Sequence, residues 1–127
     1  MAGLTNWEEI PWERVNEKIS RKVLMGDHMM IIMYKMAAGT VWPEERHLAE
    51  QWEYLLKGRL EMHWKGEKHV ILPGNSFFVE SNVPHFGRIV EEMISIVVFS
   101  PPRKELMEEG KGFAPYASQK TASVSKE

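Results

Sequence analysis

Along most of the chain, short stretches of Val, Ile, Met, Tyr and Phe alternate with Gly, Pro and Asn. "KISRKVLM" and "HMMIIMYKM" flank Gly26-Asp27, which predicts a first hairpin. "EQWEYLLKG" predicts a strand ending at Gly58, and "RLEMHWKGEKHVIL" predicts a second hairpin turning between Lys65 and Lys68. "PGNSFFVE" and "MISIVVFS" predict two further strands. In "RLEMHWK", Leu60, Met62 and Trp64 share one face, while Arg59, Glu61, His63 and Lys65 share the other. His63 is therefore expected to face solvent, and the face of Leu60, Met62 and Trp64 the core. Only "PRKELMEEG" reads as helical, for about two turns. "NWEEIPWERV" reads as an irregular or briefly helical lead-in interrupted by Pro11. Regularly spaced short strands with turn signals predict an all-β sandwich or barrel.

The length of 127 residues fits one domain, expected over 1–108, and 43% apolar residues can build a core. The tail, 109–127, is rich in Gly, Ser and Lys, and its last ten residues are expected to be disordered. A net charge of -2 gives no basic field for nucleic acid or an acidic membrane. No apolar run is long enough to span a bilayer, and the start lacks a basic region followed by an apolar one, so a cytoplasmic protein is the default. Without cysteine, any metal must be held by nitrogen and oxygen donors. Small barrels leave edge strands that pairing would cover, so a homodimer is expected, with the apolar N-terminal strand as its interface.

Two segments carry the candidate chemistry. Glu45 and His47 are two apart, so in an extended strand both side chains point the same way. Gln51 and Glu53 share parity on the next strand, and His85 follows a Pro-Gly turn and a short apolar strand. A buried ion site needs donors converging from separate strands, and Glu45, His47, Gln51 and His85 could supply them. Glu53 falls on the inner face, where desolvation raises a carboxyl toward neutrality and suits it to acid/base work. Arg103 follows Ser100-Pro101-Pro102 at a strand end, where the prolines would hold it stiffly over the barrel mouth for an anionic substrate. Trp64 and Phe99 are the expected pocket walls.

Taken together, these residues resemble the cupin superfamily. Its first motif has HxH, then Glu or Gln four residues later, then Gly; its second has PxG followed by Pro-His. Gly39, His47, Gln51, Gly58, Pro73, Gly74, Pro84 and His85 match. The likeness covers about residues 14 to 105 and implies a double-stranded β-helix, or jelly-roll barrel, with short N- and C-terminal extensions. Within cupins, "RKVLMGDHMMI", "EQWEYLLKGRLEM" and "VVFSPPR" resemble the pectin-degradation (KdgF-type) members, which open unsaturated uronates. In that family the HxH histidines, the Gln and the second-motif His hold a metal. Carried over, His47, Gln51 and His85 match, and Glu45 replaces the remaining histidine. The family's DxFSPPR pattern implies a catalytic Asp, a Phe that packs on substrate and an Arg for its carboxylate. Phe99 and Arg103 match, while Val97 stands at the acid position.

The resemblance implies a metal-dependent cupin that isomerises or ring-opens a small carboxylated, sugar-acid-like substrate; Glu53, placed inward by strand parity, could move the proton in place of the acid missing at Val97. The cofactor would be one divalent ion: Fe, Mn, Ni, Co or Zn. Glu45, His47 and His85 are also the donors of a facial triad, so a non-haem Fe(II) oxygenase is a second reading. The third is a barrel that binds a small ligand without turning it over.

Overall fold

The computed structural model describes residues 2–108. The tail expected over 109–127, with its expected disorder, lies outside the described residues. Eight strands form one antiparallel sheet that wraps into a jelly-roll barrel. They are β1 (Glu13–Arg14), β2 (Ile19–Met25), β3 (Met30–Met36), β4 (Val41–Glu45), β5 (Glu50–Trp64), β6 (Glu67–Ile71), β7 (Ser76–Val79) and β8 (His85–Ser100).

The long strands β5 and β8 run antiparallel and pass from one layer to the other. The second half of β8 pairs with β3 and with the first half of β5, whose other edge pairs with β7. The first half of β8 pairs with β4 and with the second half of β5, which pairs onward with β6. Both layers turn their apolar alternates inward: Met30, Ile32, Val97 and Phe99 in one, Leu60, Met62, Ile71 and Ile89 in the other. Burying one such side chain contributes about 1.5–3 kcal/mol, so this shared interior is the main stabilising term.

The expected break at Gly58 does not occur. The chain bulges between Leu55 and Leu60 and continues as one strand. Gly58 takes φ 95, and a Cβ there would overlap the Glu92 carbonyl and lie 2.7 Å from Met93 Cα. Only a residue without a side chain lets β5 cross β8 this closely. "MISIVVFS" is likewise the second half of a strand that starts at His85.

The alternation in β5 is as expected. Leu60 and Met62 are buried, Trp64 packs half-buried against the core, and His63 lies on the other face, stacked on Phe86 with centroids 4.4 Å apart. Lys65 and Gly66, both at positive φ, make the two-residue hairpin turn that joins Trp64 to Glu67. The two expected helical turns near the C-terminus reduce to one 3-10 turn, Lys104–Met107, which pins Leu106 into the core. Arg21 anchors that turn by donating from Nη1 to the Leu106 carbonyl at 2.7 Å. The lead-in is a 3-10 turn, Trp7–Glu9, whose first turn is capped by the Asn6 side chain. Among the described residues, no helix is long and apolar enough to cross a membrane.

Candidate metal centre and barrel cavity

The sheet brings the two candidate segments together. Glu45 at the end of β4 pairs with His85 at the start of β8. His47 stands in the following loop, tied across by the Asn82 N–H, which donates to the His47 carbonyl at 2.7 Å. Gln51 and Glu53 point inward from β5, beside Phe99 and Val97 of β8.

Both histidines are held by their backbones. His47 Nδ1 lies 2.9 Å from the Ala49 carbonyl, and His85 Nδ1 lies 2.9 Å from the Val83 carbonyl. A carbonyl only accepts, so Nδ1 carries the proton in each ring and Nε2 keeps its lone pair. Both Nε2 atoms are buried and have no hydrogen-bond partner. Leaving buried polar atoms unpartnered is costly, and imidazoles pinned at Nδ1 with bare Nε2 are the arrangement of metal-ligating histidines. Burial, followed by the Arg103 charge, lowers the His47 pKa and keeps that ring neutral, as ligation requires.

One ligand atom each from Glu45, His47 and His85 lie within 4.8 Å of one another. Glu45 Oε2 is 3.6 Å from His85 Nε2, just beyond hydrogen-bond length. Donors about 2.0–2.2 Å from a shared ion stand roughly 3–3.6 Å apart, so this pair already fits and the widest would draw in by about an ångström. Gln51 donates from Nε2 to Glu53 Oε1 at 3.1 Å, so its amide oxygen is not the atom that faces Glu53. Glu45, His47 and His85 therefore form a group that could hold a divalent cation.

Glu45 itself is heavily engaged. Oε2 accepts from Trp42 Nε1 at 2.6 Å, and Oε1 accepts from Arg103 Nη2 at 2.9 Å. Burial alone would raise this carboxyl. The His85 ring, the Arg103 charge and the Trp42 N–H outweigh that and bring it down to about 2. Glu53 is the opposite case. Burial pushes it up to about 7, against hydrogen bonds from Ser95 and Gln51. Ser95 Oγ donates to Glu53 Oε2 at 2.8 Å.

Two sequence expectations differ from the structure. Arg103 is not held over the mouth: it is only 3% exposed, closed in by Glu45 and by Glu105, and lies over the Phe99 ring. Arg103 caps the start of the 3-10 turn, with its backbone N–H against Met30 Sδ and its guanidinium between Glu45 and Glu105. Trp64 does not line the barrel cavity. It sits beside the β5–β6 turn, stacked on His69 at 3.9 Å and near Phe77, and borders a surface cleft instead. Phe99, Gln51, Glu53, Glu45 and His85 do line the cavity, together with Val97. Trp42 and Ser95 were missed. Trp42 gave no signal, but Ser95 is an inward-parity hydroxyl in the apolar run "MISIVVF", which could have been read as a partner for a buried polar group.

The family model for the cupin domain matches residues 32–99. The chain belongs to the cupin family. Within it, this cupin is KdgF-like. It is 28% identical over 103 residues to the pectin degradation protein KdgF of Dickeya dadantii, covering 79% of this chain and 94% of that one. The solved structure of KdgF from Halomonas sp. superposes with a TM-score of 0.76 at 26% identity, covering 82% of this chain and 99% of that one. An RmlC-like cupin from Shewanella frigidimarina also has a TM-score of 0.76, at 23% identity over 84% of this chain and 96% of that one; it shares the fold.

Proposed function

We propose that this cupin holds one divalent metal ion through His47, His85, Gln51 and Glu45, and isomerises or ring-opens a small carboxylated sugar acid. The observation that carries the reading is the pair of buried, unpartnered Nε2 atoms facing a carboxylate, beside a second, hydrogen-bonded carboxylate in the same cavity. The likeness to KdgF supports the substrate class. The bound ion would supply Lewis acidity toward a substrate carbonyl or hydroxyl.

The chain's own residues supply the rest. Glu53, fixed by Ser95 and Gln51, is placed to take a proton from a substrate hydroxyl and return it to carbon. That is the proton balance of an isomerisation, with no atom gained or lost. Phe99 and Val97 give the proton-transfer site an apolar, water-excluding wall. The cavity holds about 40 Å³, room for roughly three waters at about 10–15 Å³ each. A sugar ring must therefore enter from the mouth with side chains giving way.

Val97 removes the acid that the family pattern places there, and losing such a group costs about 100- to 10,000-fold in rate. Weak loss of the conjugated enol-ether absorbance of an unsaturated uronate is expected, abolished in Glu53→Gln and strengthened in Val97→Asp. Robust activity unchanged by Glu53→Gln would refute the role of Glu53. If neither protein acts with metal bound, uronate opening is wrong for this chain. Oxygen uptake would then favour the facial-triad reading, and unreacted ligand the binding-module reading. We further propose that the protein is a cytoplasmic homodimer.

A further inference from the structure

We propose that Arg103 and Trp42 are positioning residues for Glu45, so that the arginine at the family's substrate-carboxylate position here serves the metal site. The inference rests on the metal reading above.

Glu45 stands where the resemblance has a histidine. The exchange puts a negative charge into an apolar barrel, where it must be paired and hydrogen-bonded. The structure supplies both. Arg103 Nη2 reaches Oε1 at 2.9 Å, Nη1 lies 3.5 Å from Oε2, and Trp42 Nε1 donates to Oε2 at 2.6 Å. Arg103 is itself fixed: Nε donates to Glu105 at 3.0 Å, its backbone N–H points at Met30 Sδ at 3.1 Å, and its plane lies over Phe99. The planar fork holds the carboxylate on one side and the indole on the other, which leaves Oε2 facing His85 Nε2 at 3.6 Å. Arg103 is 3% exposed, and the cavity is not lined by it, so a substrate carboxylate could reach it only by displacing Glu45.

This is an outer-shell arrangement in which a ligating carboxylate is held by hydrogen-bonded neighbours. The first-motif histidine and the substrate-binding arginine have in effect been exchanged for an internal ion pair. Whatever binds the substrate's carboxylate must then be something other than Arg103, the cation itself being the obvious candidate.

The test uses the full chain, stripped with a chelator and titrated with Co(II) by calorimetry. Galacturonate binding at saturating Co(II) is measured alongside. Arg103→Lys and Trp42→Phe are each expected to weaken Co(II) affinity by about 10- to 100-fold, the usual cost of losing an outer-shell partner. Galacturonate affinity should change by less than about twofold, because neither side chain would contact the sugar acid. In a Glu45→His background, Arg103→Lys should no longer affect Co(II). If Arg103→Lys keeps Co(II) affinity and loses galacturonate, the arginine serves the substrate and the inference is overturned. Should Arg103→Lys fail to fold, Trp42→Phe decides, since it removes one hydrogen bond and no charge; unchanged Co(II) affinity there overturns the inference. Wild-type protein that takes up no Co(II) overturns the metal reading and this one together, and that failure is distinguished by appearing before any substitution is made.

Discussion

Replacing Glu53 by Gln should stabilise the metal-free protein at neutral and alkaline pH, and change it little at about pH 4. Burial lifts the Glu53 carboxyl from 4.5 to about 7, even though hydrogen bonds from Ser95 and Gln51 pull it down. The folded state therefore binds this proton more tightly than the unfolded chain does. That contribution is fully present below the unfolded value and is lost as pH rises through about 7. Roughly two and a half pH units at about 1.36 kcal/mol each give about 3 kcal/mol as the cost of ionising the group in place. Gln avoids that cost while keeping both hydrogen bonds: its oxygen still accepts from Gln51, and its NH₂ donates to Ser95 Oγ. Urea unfolding of wild type and variant in chelator, from about pH 4 to 9, measures the gap. With a slope of about 1–3 kcal/mol per molar urea, the midpoints should separate by roughly 1–3 M at the alkaline end. A gap that stays flat across this range would refute a buried, protonated carboxyl.

Three further outcomes are expected. His47→Ala should lose most of its bound metal by elemental analysis, since half the imidazole donors go, and wild-type metal binding should weaken in acid as the histidines protonate. Gly58→Ala should cost about 2–5 kcal/mol in thermal or urea unfolding, combining about 1–2 for positive φ with about 1–3 for overlap with the Glu92 carbonyl. Gly39→Ala, at φ 90 with nothing near its Cβ, should cost only the first part, so equal costs would sink the steric account. Light scattering at micromolar concentration should find a dimer in wild type and a monomer in Trp52→Lys, because Trp52, 55% exposed, lies among Ile31, Ile96 and Val98 on the sheet's outer face.

The barrel was legible because strand parity survives almost any error in strand ends. Leu60, Met62 and His63 fall on their expected faces even though β5 runs on past Gly58 for 15 residues in all. Gly58 misled the reading: glycine usually marks a strand end, and only the closeness of Met93 shows that it marks a crossing. The grouping of Glu45, His47 and His85 was legible because Glu45 and His47 share parity in one segment while His85 follows a Pro-Gly turn and a short apolar strand in another. Arg103 was not. Its burial depends on pairing with Glu45, which is 58 residues away, and no local pattern encodes that. Trp64 was right in parity and misplaced in depth, since a residue one step from a hairpin turn packs on its neighbour across the turn, here His69.

The first half of β5 reverses the usual polarity of a barrel strand. Gln51 and Glu53 point in, while Trp52, Tyr54 and Leu56 point out and are exposed. A one-residue slip would bury the three apolar side chains and release the carboxylate to water while exposing Leu55, which is fully buried, so the other register is a real competitor. The observed register is held by β8, which pairs Gln51 with Phe99 and Glu53 with Val97, and by Ser95, which bonds Glu53 from the same inner face. Two separate compensations are then required. The inner face needs something to engage Gln51 and the bare imidazoles, which the metal would provide. The outer face needs a cover for Trp52, Tyr54, Ile31 and Ile96, which a second copy of the chain would provide. The two should be energetically linked through β5. Metal removal should therefore loosen the dimer as well as the site, and dilution-dependent dissociation measured with and without chelator would show it. A dissociation constant that does not change with metal would mean that β5 transmits nothing between its faces.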